Sequence, residues 1–317
     1  MKILVIGGAG YIGSHVTYKL CDSGYNVTVL DNLSTGFIEN IDKRARFVKD
    51  SFSNTNILNT ILKDIDCVIH FAALKAAGES MEKPAEYSKH NITDSINLIN
   101  SCIKNNVKSF IFSSSAAVYG HPKYLPLDES HDLEPINYYG FTKLTIENQL
   151  LWYNKLMGLN VACLRYFNAA GYDMQGRIRM KENNPQNLIP IVMEVASGYR
   201  SGLNIFGGDY DTSDGTCLRD YIHVNDLAEG HLKAIEKLNI KDRIITNLAT
   251  GSFHSVLDVI NKTAQITQRK INYKIVSRRK GDPDSIYASS NNILEYENQF
   301  SDLDSIINST WNIYKPI

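Results

Sequence analysis

The stretch Ile3-Leu-Val-Ile-Gly-Gly-Ala-Gly-Tyr-Ile-Gly-Ser-His15 decides the fold of this chain. Lys2–Gly8 has the continuous apolar character of a buried strand, and Tyr11–Ser23 has the pattern of a helix. The turn between strand and helix contains the three glycines Gly7, Gly10 and Gly13. Glycines there permit tight backbone angles and let a ligand approach the main chain. The N–H groups at the start of the helix, with their partial positive charge, are suited to a pyrophosphate.

The next apolar run, Val27-Thr-Val-Leu-Asp31, predicts a second buried strand that ends in an acid. Strand, glycine turn, helix and strand together form a βαβ nucleotide-binding unit, in which Asp31 is placed to bind the adenosine ribose hydroxyls. No Arg or Lys follows Asp31 within several residues to accept a 2′-phosphate, so NAD is favoured over NADP. An ordinary strand-to-helix turn is the alternative interpretation of the glycines alone.

Strand and helix patterns go on alternating through the first half of the chain, which predicts a doubly wound parallel sheet. Further strands are predicted at 46–50, 67–73, 109–115 and 161–167, and helices at 54–62, 87–105 and 139–157. After Phe167 the alternation breaks, and 169–186 is an irregular loop expected over the site. Beyond it we expect helices at 188–196, 226–238 and 256–266, strands at 244–249 and 270–276, a turn-rich 204–213 and a weakly patterned tail.

The expected architecture is therefore an α/β fold of Rossmann type with a smaller α/β substrate-binding domain. Residues 1–168 would form the dinucleotide-binding domain, with 222–250 returning to it. Residues 169–221 and 251–317 would form most of the substrate-binding domain. With no repeat or clear linker between them, the two regions are expected to pack directly on each other.

Composition excludes several other classes of protein. The 317 residues are 43% apolar and 21% charged, and 33 basic against 34 acidic residues leave a net charge of −1. That balance predicts neither nucleic-acid nor anionic-membrane binding. The five cysteines are scattered without metal-ligand spacing, which favours reduced thiols and no bound metal. No apolar run approaches the roughly 18 residues that span a bilayer, so we expect a soluble cytoplasmic protein.

The candidate chemistry begins with Tyr139-Gly-Phe-Thr-Lys143, which puts a phenol and an ammonium on one helical face. Such a pair can act as a general acid/base whose phenol pKa is lowered by the neighbouring cation. Asn137 is available to cap this helix. The serine-rich strand end Ser113–Ser115 precedes it, and a hydroxyl there could bond the same substrate oxygen as the phenol. A surface pair is the alternative interpretation of Tyr139 and Lys143 taken alone, and a solvated strand end is the alternative for Ser113–Ser115.

The chain resembles the extended short-chain dehydrogenase/reductases and, within them, the UDP-galactose 4-epimerases. The matching stretches run nearly end to end: 7–15, 30–33, 70–80, 113–120, 139–143, 164–168, 219–224 and 278–282. In related dehydratases an Asp-Glu pair stands just before the Val-Tyr-Gly sequence, where this chain has Ala116 and Ala117. The resemblance thus implies hydride transfer and one proton shuttle, which suffice for epimerisation at the sugar 4-position.

The resemblance also implies a set of site residues. Tyr139 would be the base, Ser115 would bond the reacting oxygen, and Lys143 would bond the nicotinamide ribose. The NAD site would comprise Gly7, Gly10, Tyr11, Ile12, Gly13, Asp31, Asn32, Asp50, Ser51, Phe71, Ala72, Ala73, Lys75, Asn91, Tyr139, Lys143 and Phe167. The UDP-sugar would contact Lys75, Ser115, Tyr139, Asn168, Asn187, Leu188, Ile205, Phe206, Arg219, Arg279 and Asp282, with the two arginines suited to the diphosphate.

Further implications concern the sugar and the assembly. The family tunes sugar size four residues beyond Asp282, where Ile286 stands; a tyrosine there goes with UDP-glucose and UDP-galactose only, and a small residue admits N-acetyl sugars. A slip of one residue would bring in Tyr287 instead. The helices predicted at 87–105 and 139–157 resemble the family's dimer-forming pair, so a homodimer is expected. A net oxidoreductase or 4-keto reductase of the same fold, and a non-catalytic dinucleotide sensor, are the alternative functions.

Overall fold

The computed structural model describes residues 1–279, 283–289 and 293–316. Fourteen strands are present in this part of the chain: β1 Lys2–Ile6, β2 Asn26–Asp31, β3 Arg46–Lys49, β4 Cys67–His70, β5 Ser109–Ser115, β6 Asn160–Tyr166, β7 Asn168–Ala170, β8 Leu203–Phe206, β9 Leu218–Arg219, β10 Tyr221–His223, β11 Arg243–Leu248, β12 His254–Ser255, β13 Tyr273–Val276 and β14 Ser285–Ile286.

The α-helices of the same described residues are α1 Tyr11–Asp22, α2 Thr55–Ile61, α3 Ala77–Glu82, α4 Pro84–Tyr87, α5 Asp94–Lys104, α6 Tyr138–Met157, α7 Leu188–Ala196, α8 Val224–Leu238, α9 Val256–Thr267 and α10 Leu303–Tyr314. Between α4 and α5 the chain forms a π-helix over Ser88–Thr93. Across these residues, no helix is both long enough and apolar enough to cross a membrane.

Seven parallel strands form the central sheet in the order β11-β6-β5-β4-β1-β2-β3. Strand order reverses between β1 and β4, so the loops after these two strands diverge and leave a crevice at their carboxyl ends. The Rossmann-type sheet predicted from the alternating pattern is confirmed, and β11 makes it one strand wider than the six strands of the first half.

Each face of the sheet buries its own apolar layer, as a parallel sheet requires. One layer joins β1, β2 and β6 to α1 and α8 through residues such as Val16, Leu20 and Leu232. The other joins the sheet to α2, α5 and α6, with Leu98, Ile146 and other residues at its centre. Apolar contacts thereby hold the helices against both faces of the sheet.

A separate apolar cluster joins α7, α9 and α10, with Val192, Ile260 and Ile306 fully buried. Three small sheets accompany it: β7 with β10, β8 with β13, and β9 between β12 and β14. This arrangement corresponds to the expected smaller region, although the exact domain borders remain a prediction.

Two predictions for this region were wrong. The turn-rich 204–213 contains β8, because Leu203–Phe206 pairs with β13 some seventy residues later in the chain. The weakly patterned tail contains α10, which begins with Asp302 accepting a hydrogen bond from the Ser305 N–H.

On the central sheet, the predicted helix over 87–105 is also interrupted, since a π-helix replaces its first turns.

Gly13 provides a test of how tightly the first βαβ unit packs. A Cβ built on Gly13 lies 2.2 Å from the carbonyl oxygen of Gly7, a main-chain atom with no freedom to move aside. We expect Gly13→Ala to lower the free energy of unfolding by about 1–3 kcal/mol, the usual cost of overpacking. Urea denaturation of the ligand-free protein measures this change.

Gly78→Ala is the matched control, because a Cβ on this glycine of α3 meets nothing within 4 Å. It should leave stability unchanged or raise it by up to about 1 kcal/mol, the helix-propensity gain of Ala over Gly. Equal stability of the two variants would contradict the packing argument.

Candidate active site

The glycine turn leaves an open helix N-terminus facing the crevice. Gly7 has a φ of +80°, which favours glycine, and a Cβ there would stand 2.8 Å from the backbone nitrogen of Ala72. Gly10 caps α1 and has no side chain to occupy the N–H groups of the first turn, formed by Tyr11 and Ile12. The turn therefore fits the pyrophosphate of a dinucleotide.

Asp31 holds this turn from the end of β2. Its Oδ2 accepts a hydrogen bond from the Ala9 N–H at 2.9 Å, and its Oδ1 accepts one from the Leu33 N–H at 2.8 Å. Each carboxylate oxygen can accept more than one hydrogen bond, so both retain capacity for ribose hydroxyls. The buried carboxylate of Asp31 therefore stabilises the turn by hydrogen bonds and can still accept hydrogen bonds from the predicted ribose hydroxyls.

Other predicted cofactor residues follow the neighbouring strands at the same edge. Asn32 is exposed, and its Oδ1 accepts a hydrogen bond from the Ser34 N–H at 3.0 Å. Asp50 follows β3 and accepts one from the Ser51 N–H at 2.7 Å. Since parallel strands end at one edge, the sheet places these residues along the rim of the crevice.

The segment after β4 forms the opposite wall. The N–H of Phe71 donates to the Ile6 carbonyl at 2.9 Å, which keeps Phe71, Ala72 and Ala73 beside the glycine turn. Phe71 also packs against the ring of His231, 5.1 Å away between centroids.

The side-chain amide of Asn91 makes its hydrogen bonds within the protein. Its amide bonds the Leu74 N–H and the Leu74 carbonyl, each at 2.9 Å, and the Thr142 hydroxyl at 3.1 Å. Asn91 therefore links the loop after β4 to α6, and direct contact with a cofactor stays a prediction.

Lys75 is exposed and its ammonium is paired with the carboxylate of Glu182. Glu182 comes from the irregular segment predicted to cover the site, and sequence reasoning did not identify it. Its surroundings carry no periodic pattern that could have singled it out.

The predicted catalytic residues meet where β5 ends and α6 begins. Asn137 caps α6 by accepting the Gly140 N–H at 2.8 Å, as predicted. The ammonium of Lys143, only 3% exposed, donates to the Ser113 carbonyl at 2.6 Å. It lies 5.7 Å from the centroid of the Tyr139 ring. The Ser115 hydroxyl is near enough to the Tyr139 phenol to lower its pKa, so the three groups predicted to act together are brought together.

One electrostatic expectation was wrong for the protein without bound ligands. The neighbouring cation was expected to lower the phenol pKa, yet burial raises the pKa of Tyr139 to about 12, only partly opposed by the nearby Ser115 hydroxyl. Burial also lowers the pKa of Lys143 to about 7, opposed by the Glu147 carboxylate. Desolvation disfavours the charged forms of both side chains here.

The predicted substrate residues are spread over the smaller region. Asn168 donates from its side chain to the Asp220 carbonyl at 3.0 Å, and Asn187 caps α7, followed by Leu188. The side chain of Ile205 is buried in the core around α7, so any contact with substrate would come from its backbone. Phe206, by contrast, is partly exposed.

The two arginines predicted to bind the diphosphate lie on different small sheets. Arg219 is on β9, and its Nη1 donates to the Leu218 carbonyl at 2.8 Å. Arg279 follows β13, with its guanidinium 4.2 Å from the centroid of the Phe206 ring. The remaining predicted residue, Asp282, lies outside the described residues.

The pairing of β14 with β9 places the two candidate residues for sugar size, Ile286 and Tyr287, in different surroundings. Ile286 pairs with Arg219 and packs against the apolar cluster that contains Ala116 and Phe167, the residue after β6. Tyr287 points elsewhere, and its ring lies 4.6 Å from that of Phe253. Ile286 is therefore the residue on the catalytic side.

Comparison with known proteins gives the family to which this chain is similar. The model of the NAD dependent epimerase/dehydratase family matches residues 3–249. A UDP-glucose 4-epimerase of Halalkalibacterium halodurans is 43% identical over 99% of this chain and 96% of its own length.

Solved structures are similar over nearly the same length. The UDP-glucose 4-epimerase of Brucella ovis in complex with NAD has a TM-score of 0.95 and 38% identity, covering 99% of this chain and 98% of that one. The UDP-Glc/GlcNAc 4-epimerase of Campylobacter jejuni has a TM-score of 0.86 and 34% identity over the same shares.

Proposed function

The chain belongs to the NAD dependent epimerase/dehydratase family, and on that premise we propose that it interconverts the 4-epimers of a UDP-hexose through a transient 4-keto sugar. The observation that carries this proposal is the meeting of Tyr139, Ser115 and Lys143 beside the crevice, with Ala116 and Ala117 directly after the serine. The alanines cannot donate or accept a proton, so the site is equipped for proton exchange at one oxygen and not for loss of water.

Each residue of the site has its own role in the proposed epimerisation. Tyr139 takes the proton of the sugar 4-hydroxyl and later returns it. Ser115 donates to the same oxygen and holds it beside the phenol. Bound NAD supplies the hydride acceptor and donor at the sugar carbon. The glycine turn, Asp31 and the rim residues hold that cofactor, and Lys143 binds its ribose and favours the phenolate.

The pKa values of the ligand-free protein indicate what the complex must change. With Tyr139 near 12, the phenol is protonated at neutral pH, and the phenolate forms only when pH rises toward that pKa. A cation beside the phenol lowers its pKa, so Tyr139 would form its phenolate more readily with an oxidised, positively charged nicotinamide bound beside it.

Tyr139→Phe tests the assignment of the base. It removes the proton acceptor, and turnover should fall by about 10²–10⁴-fold, the usual contribution of general acid–base catalysis. The assay supplies UDP-galactose to protein purified without added cofactor and measures formation of the 4-epimer. Cofactor retained by the variant is quantified after denaturation and should match the wild type.

Tyr138→Phe is the matched control, since the neighbouring phenol bonds Ser88 Oγ at 2.7 Å and should be dispensable for turnover. Substantial turnover by Tyr139→Phe would exclude Tyr139 as the base. If wild-type protein makes product only when free NAD(P)H is consumed, the net-oxidoreductase alternative replaces epimerisation.

We propose further that the sugar pocket admits both UDP-hexoses and their N-acetyl forms. Ile286 packs beside Ala116, next to the catalytic serine, and is smaller than the tyrosine associated with the narrower choice. Ile286→Tyr should lower kcat/KM for UDP-N-acetylgalactosamine relative to UDP-galactose by about 10-fold or more, as steric discrimination in a pocket allows.

Tyr287→Phe is the control for this experiment, because Tyr287 faces Phe253 and its substitution should leave the ratio unchanged. If Ile286→Tyr affects both substrates equally, Ile286 does not determine the size of the sugar pocket.

We propose that the protein forms a homodimer through α5 and α6. Large apolar side chains lie exposed along α6: Phe141, Trp152, Leu156 and Met157 are 46%, 55%, 68% and 58% exposed. A second copy of the chain would bury them.

We assign the dimer to the cytoplasm, since all five cysteines are free and four are buried, which suits a reducing compartment.

Leu156→Glu should convert the dimer to a monomer in analytical ultracentrifugation, because a charge would be buried without a partner. Ile240→Glu is the control: Ile240 is 87% exposed just beyond α8, and its substitution should leave the mass unchanged. A monomeric wild type at all concentrations would refute the dimer.

A further inference from the structure

Helix α6 carries a third ionisable residue in line with the catalytic pair. Tyr139, Lys143 and Glu147 follow one another at four-residue intervals and so share one face of the helix. The Glu147 side chain is buried, with 1% exposure, on the far side of Lys143 from Tyr139.

Glu147 is held by partners on two strands. On β5, the Ser114 hydroxyl donates to its carboxylate. On β6, Arg165 binds it with two donors, Nε to Oε1 at 3.0 Å and Nη2 to Oε2 at 2.7 Å. Arg165 is itself 2% exposed, and its Nη1 donates to the Tyr119 hydroxyl at 3.0 Å. This is a bidentate ion pair in the interior of the protein.

The ion pair joins the two elements that carry the catalytic groups. Ser114 stands between Ser113, whose carbonyl accepts the Lys143 ammonium, and the catalytic Ser115. Glu147 lies one turn beyond Lys143 on the helix. One carboxylate therefore fixes the register of the serine strand against the helix of Tyr139 and Lys143.

Stability alone is a weak reason for such a pair. Removing two charges from water is costly, and replacing a buried ion pair with apolar residues of similar size is often neutral or stabilising. The position of the pair, directly behind Lys143, points instead to the active site.

We propose that Glu147, held by Arg165, is a positioning residue of the catalytic centre that keeps Lys143 in its ammonium form and fixes Ser115 and Tyr139 relative to each other. This inference rests on the proposed epimerase function, in which Lys143 acts as a cation. Glu147 touches no reacting atom and acts through Lys143 and Ser114.

The groups around Lys143 explain why a carboxylate is needed. They are Tyr139 and Glu147 on α6, Ser113 and the Phe112 ring on β5, His70 on β4, and Arg165 on β6 behind Glu147.

Of these groups, His70 and Tyr139 carry no charge at neutral pH. Burial, with Lys143 nearby, lowers the pKa of His70 to about 3, and burial raises the pKa of Tyr139 to about 12. The carboxylate of Glu147 is the group that opposes the effect of burial on the pKa of Lys143.

The sign of the pH effect follows from this arrangement. Lys143 is an ammonium below its pKa and loses the charge as pH rises through it. Loss of the Glu147 charge lowers that pKa further, so activity that depends on the cation must end at a lower pH.

Glu147→Gln tests the proposal, since it removes the charge and keeps an oxygen that can accept from Ser114. The basic limb of the kcat profile should move to lower pH by about one unit or more, as expected for loss of a nearby opposite charge. In parallel, the Nζ chemical shift of isotopically labelled Lys143 is titrated and should show the same displacement. Lys143→Arg assigns the signal.

Two further variants keep the test decisive. Glu147→Gln/Arg165→Met removes both charges, so it folds even if a lone Arg165 cation prevents folding of the single variant, and its Lys143 pKa should lie below that of the wild type. Asp226→Asn removes a buried carboxylate on α8 that bonds Ser301, and it should leave the basic limb in place.

An unchanged basic limb and an unchanged Nζ titration in the Glu147 variants would overturn the proposal and leave Glu147 a purely structural residue. The titration does not depend on turnover. If the wild type made no epimer, the proposed function would fail, and the Nζ titration would still decide whether Glu147 controls the charge of Lys143.

Discussion

The close approach of two main chains at the switch point of the sheet is the constraint on which the site depends. The end of β1 and the segment after β4 come so near that a Cβ on Gly7 would stand 2.8 Å from the Ala72 nitrogen. The same turn brings α1 against β1, with no room for a side chain at Gly13. Only because backbone meets backbone here can the helix N-terminus and the β4 loop form two walls of one crevice.

Desolvation is the second determinant of the chemistry. The parallel sheet must be covered on both faces, so the residues that line its carboxyl edge are partly withdrawn from water along with the core. Tyr139 and Lys143 thereby acquire pKa values of about 12 and about 7, which place the neutral pair below the ionic pair in free energy. In the proposed mechanism, formation of the Tyr139 phenolate therefore depends on positive charge that a ligand adds.

Local pattern was sufficient to predict most of the first half of the chain, apart from the short helices α3 and α4 and the π-helix that follows them. The strand, turn and helix around Gly7–Gly13 follow from residues that are close in sequence, and so does the cap of α6 at Asn137. Two elements that the sequence did not predict, β8 and α10, depend on contacts with residues distant in the chain. The strand β8 exists because β13 pairs with it, and α10 because the cluster around Val192 and Ile260 covers its apolar face.

In the site, too, some residues follow from local spacing and others depend on contacts between distant segments. The four-residue spacing alone predicted that Tyr139 and Lys143 share one face of α6. The same spacing could have identified Glu147. The pairing of Lys75 with Glu182 had no such signal, since it joins residues from distant, irregular segments. The reversed pKa shift at Tyr139 depends on burial, which no short motif records. The placement of Ile286 beside Ala116 likewise required the register of β14 against β9.

The double hydrogen bond at Asp31 has a thermodynamic consequence. Its carboxylate binds the Ala9 and Leu33 N–H groups, and the Ala9 carbonyl in turn accepts the Phe37 N–H at 3.1 Å. The dinucleotide turn is therefore ordered by the protein itself, and the conformational entropy of that loop is lost during folding. A ligand that arrives there meets a rigid cradle, and more of its contact energy remains as affinity. This preorganisation favours tight binding of a dinucleotide at the turn.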